Sequence, residues 1–194
     1  MNVKFLNPFV EAAHEVLQAE TGLALTRGDL ILKKEAFRTD EVTVILGIIG
    51  QVEGNVFYSM TERTAIGLAE RMMNEPFESF IELAQSGIAE LGNVITGRAS
   101  VKLSHNGYES TISAPTMLLG KGATISTLDF LRLVLPLNSE CGSLGIHLAL
   151  REGIQSHLKM AREETRFLAK HSAAQRRSRE NGFLRQTASH ESFL

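Results

Sequence analysis

Cysteine is nearly absent from this chain. The single one, Cys141, excludes an internal disulfide. It sits between Glu140 and Gly142 in a turn-like stretch with no histidine partner in sequence, so it reads as a plain thiol rather than a nucleophile. Long apolar runs are also missing. The longest, Val42 to Gly50, is about nine residues and includes Thr43, against the ~20 that a membrane-crossing helix needs. The start, MNVKFLNPF, lacks the apolar core of a signal peptide. A cytoplasmic chain with no membrane insertion is the expectation. There is no P-loop, no G-x-G-x-x-G and no cysteine cluster. The six histidines, at 14, 105, 147, 157, 171 and 190, show no metal-ligand spacing, so no metal site is expected in the chain itself.

What is present suits one domain with an extension. The 194 residues are 43% hydrophobic, enough for a sizeable core. The net charge of −2 marks neither a polyanion nor a nucleic-acid binder. The charge is uneven. Residues 1–150 carry 11 Lys/Arg and 17 Asp/Glu, a balance of −6; residues 151–194 carry 9 and 5, a balance of +4. The expected organisation is therefore a domain over 1–150, an amphipathic helix over 151–170 built on Ile154, Leu158, Ala161, Phe167 and Leu168, and a disordered, solubilising basic tail over 171–194.

The element pattern is mixed. Residues 6–21 read as a helix, with Pro8 in its first turn, Gly22 as its stop, and an apolar face of Phe9, Ala12, Ala13, Val16, Leu17 and Ala19. Leu23 to Phe37 is ambiguous. Glu41–Ile49 and Asn55–Met60 form a hairpin joined by residues 50–54. Thr61 caps a helix through Met73 with Ala65, Leu68, Ala69 and Met72 on one face. Strands follow at 108–113, 116–119, 124–127, 129–137 and 142–150. In the last two, Leu131, Leu133, Leu135 and Leu137 share a face, as do Leu144, Ile146, Leu148 and Leu150. Pro136, lacking a donor, belongs at an edge or bulge. His147 alternates away from the leucine face and reads as surface-exposed. His105, near a helix end, reads as a C-terminal cap. Helix, strands, two helices, then strands gives an α+β layer fold.

The chain is organised around Phe77 to Leu103, FESFIELAQSGIAELGNVITGRASVKL, read as one helix. Ile81, Ala84, Ile88, Leu91, Ile95 and Ala99 recur at helical spacing and form a buried stripe. Glu82, Ser86, Glu90, Asn93, Gly97 and Ser100 form the opposite, polar or small stripe. At roughly 3.6 residues per turn, Glu90 lies about 40° past Ser86 and Asn93 about 60° short of a full turn from Glu90. Glu90 and Asn93 are neighbours on one exposed face. Glycines at 87, 92 and 97 each weaken the helix by roughly 1 kcal/mol relative to alanine, so the backbone must be bare for close packing or for a partner surface. A carboxylate beside a carboxamide can pair with a cation and hold a water in a chosen direction. On spacing alone a solvated helix face is the simpler reading.

The run Ser86-Gly-Ile-Ala-Glu90-Leu-Gly-Asn93-Val-Ile-Thr-Gly97, followed by Pro115, resembles the CheC/CheX/FliY family of chemotaxis phosphatases. That family's pattern is Asp or Ser, three residues, Glu, two residues, Asn, then a distant Pro. The resemblance covers roughly residues 5–150, including VTVILGIIGQVEGNVFYSM before the helix and ISAPTMLLG and LRLVLPL after it. A single Glu-x-x-Asn helix is similar to the CheX branch. Glu11 and His14 on the first helix have the same spacing, but histidine departs from the pattern, which marks a degenerate second half.

The resemblance implies a curved, mainly antiparallel sheet with helices on one face and a homodimer joined through the sheets. It implies a phosphatase of phosphorylated CheY-like response regulators, in which Asn93 aims the attacking water and Glu90 pairs with the regulator's active-site lysine. Ser86, Gly92 and Gly97 would contact the partner. The chain would need no cofactor of its own, Mg2+ being held by the regulator. The alternative is a non-catalytic docking or flagellar-switch module that binds a regulator without hydrolysing it.

Overall fold

The computed structural model describes residues 3–127 and 131–153. The expected helix over 151–170 falls outside the described residues from 154 onward, as does the whole of the expected tail over 171–194. Three helices, α1 (Leu6–Thr21), α2 (Glu62–Met73) and α3 (Glu82–His105), accompany ten strands: β1 (Thr26–Arg27), β2 (Ile31–Lys33), β3 (Phe37–Arg38), β4 (Val42–Gly50), β5 (Val52–Met60), β6 (Ser110–Ile112), β7 (Thr116–Leu119), β8 (Thr124–Ile125), β9 (Arg132–Ser139) and β10 (Gly142–Glu152). Eight strands make one open sheet in the order β1-β9-β10-β5-β4-β6. β2 also pairs with β9 and β7 with β4, while β3 and β8 form a separate pair. Every pairing is antiparallel. This is the α+β architecture that the element pattern implies.

Alternation decides which face is which. The register places Leu135, Ile146, Tyr58 and Val44 in one row across four strands. All four side chains are buried, and they join Phe9, Ala13, Leu17, Leu68, Ile88 and Ile95 in the main core beneath the helices. One residue out of phase, the row Val134, His147, Phe57 and Ile45 points to the opposite face. There Phe37 closes a second, small core over Phe57 and Ala149, flanked by Ile45 and Ile125. Phe37 lies 5.5 Å from Phe57 and 4.3 Å from the His147 ring between centroids.

Several boundaries differ from the sequence reading. α1 ends where expected, with Gly22 left-handed at φ 67° and its N–H on the Gln18 carbonyl, but Ala19 is exposed rather than on the buried face. Leu23–Phe37 resolves into the short β1, β2 and β3. The hairpin is tighter than residues 50–54: Ile48 already pairs with Gly54. Thr61 caps α2, its hydroxyl accepting from the Thr64 N–H at 3.2 Å. α3 starts at Glu82, not Phe77. Phe77 and Phe80 are buried in a loop pinned by the Phe77 N–H on the Glu70 carboxylate at 3.0 Å, and Ile81 is an extended N-cap residue, exposed. β10 continues to Glu152, two residues past its expected end.

Pro136 is not at a strand end. It lies inside β9, opposite Gly145. The outer neighbour of β9 is broken there between β1 and β2, and the Gly28 N–H reaches the Pro136 carbonyl at 2.9 Å. The missing donor thus falls at a gap in the pairing. The leucines of β9 and β10 point into the main core, so no leucine-rich edge is left open. The exposed apolar side chains of that side are Leu30, Ile31 and Leu32, on and beside β2.

His147 overturns its expected exposure. Its face is the one Phe37 covers, and its Nδ1 is buried. Burial, then Arg132 on β9 and Lys33 on β2, pushes the imidazole down from 6.5 to about 3. A depressed folded pKa contributes stability that is fully present above the unfolded value and is lost as pH falls from about 6.5 toward about 3. Denaturant unfolding near neutrality and in mild acid should therefore show a smaller loss of stability for His147→Phe than for wild type. Equal losses would mean that the ring is solvated.

Candidate functional site

α3 lies across the sheet with one stripe inward. Ala84, Ile88, Leu91, Ile95 and Ala99 are buried, as the spacing predicts. The helix is fixed to the sheet at Gly92. A Cβ there would sit 3.1 Å from Tyr58 Cδ2 and 3.1 Å from Val44 Cγ1, tighter than an ordinary contact, so the bare backbone eases the close approach of α3 to β4 and β5. The contact is also polar. The Thr96 hydroxyl donates to the Gly92 carbonyl at 2.8 Å, and Thr96 Oγ1 lies 2.8 Å from the Tyr58 hydroxyl. Since the Thr96 proton is committed to the carbonyl, the Tyr58 hydroxyl is the donor in the second bond. Burial raises the Tyr58 pKa far above its ordinary value, opposed by the bond to Thr96.

The residue after this anchor is Asn93. Its Nδ2 donates to Glu90 Oε2 at 3.3 Å, on the side of α3 away from the core. Glu90 is exposed and Asn93 half-buried. The bond assigns both groups. Asn93 spends an N–H on the carboxylate, which orients its carbonyl Oδ1 as the acceptor; Glu90 keeps Oε1 for a second donor. Ser86, a turn earlier, is exposed. Gly97, a turn later, is half-buried, and a Cβ there would meet only Ile112 Cδ1 at 3.8 Å. Ser86, Glu90, Asn93 and Gly97 therefore follow one another along one side of the helix.

Gly92 does not belong with them. Expected at a partner surface, it is buried against Tyr58 and Val44, and its bare backbone serves internal packing. Gly87 is likewise buried, against Met73 of α2. The anchor residues Tyr58 and Thr96 escaped the sequence reading. A glycine in mid-helix signals close approach, but not which strand residue meets it. Pro115 directly precedes β7, in a loop held by the Ser113 hydroxyl, which accepts from the Gly47 N–H at 2.9 Å and donates to the Ala114 carbonyl at 2.8 Å.

The profile of the family described as chemotaxis phosphatase CheX matches residues 42–138, which include α3 and all of the strands that flank it. The chain belongs to the CheX family. The CheY-P phosphatase CheX of Thermotoga maritima is 27% identical over 155 residues, covering 79% of this chain and 99% of that protein. A crystal structure of a CheC-like superfamily protein from Shewanella sp. PV-4 is 30% identical with a TM-score of 0.71, covering 78% of this chain and 99% of that one. The fold also matches a crystal structure of a CheX–CheY–BeF3–Mg2+ complex from Borrelia burgdorferi, with a TM-score of 0.67 at 24% identity over 78% of this chain and 100% of that one.

Two lookalikes in this CheX-family chain are accounted for. Glu11 on α1, spaced from His14 as Glu90 is from Asn93, is already paired: Lys102 of α3 reaches Glu11 at 3.1 Å and Glu15 at 2.8 Å. The bond from Lys102 holds Glu15 below the usual carboxylate range. Cys141 sits against Gly67 of α2, and burial pushes its thiol up, away from the reactive thiolate. Among the described residues no group of three or more His, Cys, Asp or Glu is arranged to hold a metal, and no helix is long and apolar enough to cross a membrane.

The two glycines should respond differently to alanine. Gly97→Ala meets only Ile112 at an ordinary contact distance and should stabilise the fold by up to about 1 kcal/mol. Gly92→Ala crowds Tyr58 and Val44 by a few tenths of an ångström and should leave the fold less stable than Gly97→Ala does, by roughly 1–3 kcal/mol. Tyr58→Phe should cost about 1 kcal/mol for one buried hydrogen bond. Urea unfolding of the three variants measures all three.

Proposed function

We propose that this protein dephosphorylates a CheY-like response regulator, and that α3 carries the chemistry. The observation that carries the reading is the Asn93–Glu90 hydrogen bond on the exposed side of α3 in a CheX-family chain. An aspartyl phosphate is a mixed anhydride. Its hydrolysis needs a water in line with the departing oxygen, and in phosphoryl transfer a protein contributes mainly positioning and charge stabilisation. Asn93 Oδ1 accepts one proton of that water and turns a lone pair toward phosphorus. Glu90 Oε2 holds the carboxamide in the orientation this needs, and Oε1 takes the regulator's lysine. Ser86 and Gly97 line the same approach, and Gly97 admits the regulator's cleft close to the backbone. Magnesium chemistry would be supplied by the regulator, in whose cleft the ion is held.

The assembly we propose is a homodimer. Support comes from Leu30, Ile31 and Leu32, exposed side by side next to the outer edge of β9, where the short β1 and β2 leave the sheet thinly covered. Light scattering at micromolar concentration should give twice the chain mass. A monomeric mass would count against it.

The motif residues should separate in single-turnover dephosphorylation. Both side chains lie on the solvent side of α3, so Asn93→Ala and Glu90→Ala should each hold stability within about 0.5 kcal/mol of wild type. Asn93→Ala should lower the maximal rate by on the order of a hundredfold, as deletion of one preorganised polar group does, with regulator binding largely kept. Glu90→Ala should weaken binding by roughly 2 kcal/mol and also lower the rate, because the carboxamide loses its orienting bond. An Asn93→Ala protein with the wild-type maximal rate would remove asparagine from the water-positioning role. If the wild type speeds loss of phosphate from no regulator of its own cell, the protein is a docking module.

A further inference from the structure

Across the sheet from the main core lies a cavity of about 490 Å3 lined by Lys33, Glu35, Phe37, Arg38, Arg132 and His147. Three of those side chains carry a fixed positive charge and one a negative charge. Arg132 is only 2% exposed. Its guanidinium lies 5.0 Å from the centroid of Phe37, and its NH1 donates to the Glu35 carbonyl at 3.1 Å. Among the described residues no carboxylate forms a salt bridge with it. The side-chain nitrogens buried there without a hydrogen-bond partner are Arg132 Nε and His147 Nδ1, and both residues line this one cavity. They are brought together by register. His147 of β10 stands opposite Val134 of β9, and Arg132 is two residues from Val134, so the pair are diagonal neighbours on the same face.

We propose that this cavity is an oxyanion site, taking a carboxylate or phosphoryl group between Arg132 and His147. A buried cation is costly unless it is paired and hydrogen-bonded. Arg132 has one neutral acceptor, a stacked ring and the Glu35 carboxylate acting on it from a distance, but no salt-bridge partner among the described residues. Water could fill the two empty hydrogen-bonding positions; it could not neutralise the guanidinium. An oxyanion does both, accepting from Nε and, in the Nδ1–H tautomer or when protonated, from His147. Lys33 and Arg38 at the rim add favourable potential, and the guanidinium edge favours a planar or tetrahedral oxygen cluster over a halide. The depressed titration of His147 agrees, because burial and the cations Arg132 and Lys33 hold its proton off, with Glu35 the single acid lining the cavity among the described residues. A bound anion would oppose that field. The site faces away from the core on which α3 packs, on the opposite side of the sheet from the helices.

The test is thermal unfolding of the full chain in inorganic phosphate, acetate or chloride at matched pH and ionic strength, with the His147 ring followed by NMR. A saturable rise in midpoint over chloride, with a raised His147 pKa, is expected in phosphate, acetate or both. Phosphate alone points to a phosphorylated ligand and acetate to a carboxylate. Arg132→Gln should weaken the saturable effect by about tenfold or more, as loss of a charge-assisted hydrogen bond does. Should that variant fail to fold, Lys33→Gln on the exposed β2 should still weaken it by about two- to fivefold. The proposal is overturned if neither anion exceeds chloride, as when a carboxylate of the chain already fills the site. An effect that survives unchanged in the folded variants also overturns it.

Discussion

The bare backbone of Gly92 against the Tyr58 ring sets where α3 runs, and the rest of the structure is built around that contact. Close approach there leaves little room for a Cβ and brings the Tyr58 hydroxyl within reach of Thr96, whose own hydroxyl donates to the Gly92 carbonyl one turn back in the same helix. Apolar packing alone would let a helix slide along or roll over a sheet by small amounts. A buried hydroxyl relay has less tolerance, because a shift of about an ångström takes its hydrogen bonds out of range and leaves a polar group unpaired in the core. Asn93 is the next residue along the chain, so its carboxamide inherits that precision. The side chain of Asn93 is itself only half-buried, so its support comes from behind, through the backbone of α3.

The sheet makes the two sides of the molecule chemically different. On one side the rows centred on Tyr58 and Ile146 make a continuous apolar floor for three helices. On the other, among the described residues, the rows centred on Phe57 and His147 are covered by Phe37 and the two-stranded β3–β8 piece. That cover buries Arg132 Nε and His147 Nδ1 without hydrogen-bond partners among the described residues, while the helical side satisfies the Tyr58 and Thr96 hydroxyls. The same strands therefore carry a firm support for α3 and, behind it, a polar cavity whose charge is unbalanced.

The pairing of α1 with α3 explains why two Glu-x-x-polar helices do not make two equal sites. Lys102 extends from α3 to two carboxylates of α1, Glu11 and Glu15. Glu11 is thereby tied into the helix–helix seam, whereas Glu90 bonds only its own neighbour on α3 among the described residues. Identical spacing in sequence has become a structural ion pair in one helix and an outward-facing acid–amide pair in the other.

The periodic features were legible in the order of residues. Strict alternation in β9 and β10 and the stripe Ala84, Ile88, Leu91, Ile95 and Ala99 identify the buried faces, because side-chain direction follows directly from backbone period. The spacing of Glu90 and Asn93 likewise places them together on α3, since that depends only on helix geometry. What depends on a partner far along the chain was not legible. Gly92 read as a surface feature because no local signal names Tyr58, thirty-four positions earlier, as its neighbour. Phe77 to Ile81 read as helix because helical spacing continues there, yet Glu70 and burial of two phenylalanines hold them in a loop. His147 read as exposed because alternation gives a residue's side of the sheet but not whether that side is covered. Phe37, more than a hundred residues earlier, decides it. Periodicity is a local property of the backbone. Close approach, cover and charge balance are set by which distant segments meet, and so emerge with the folded chain.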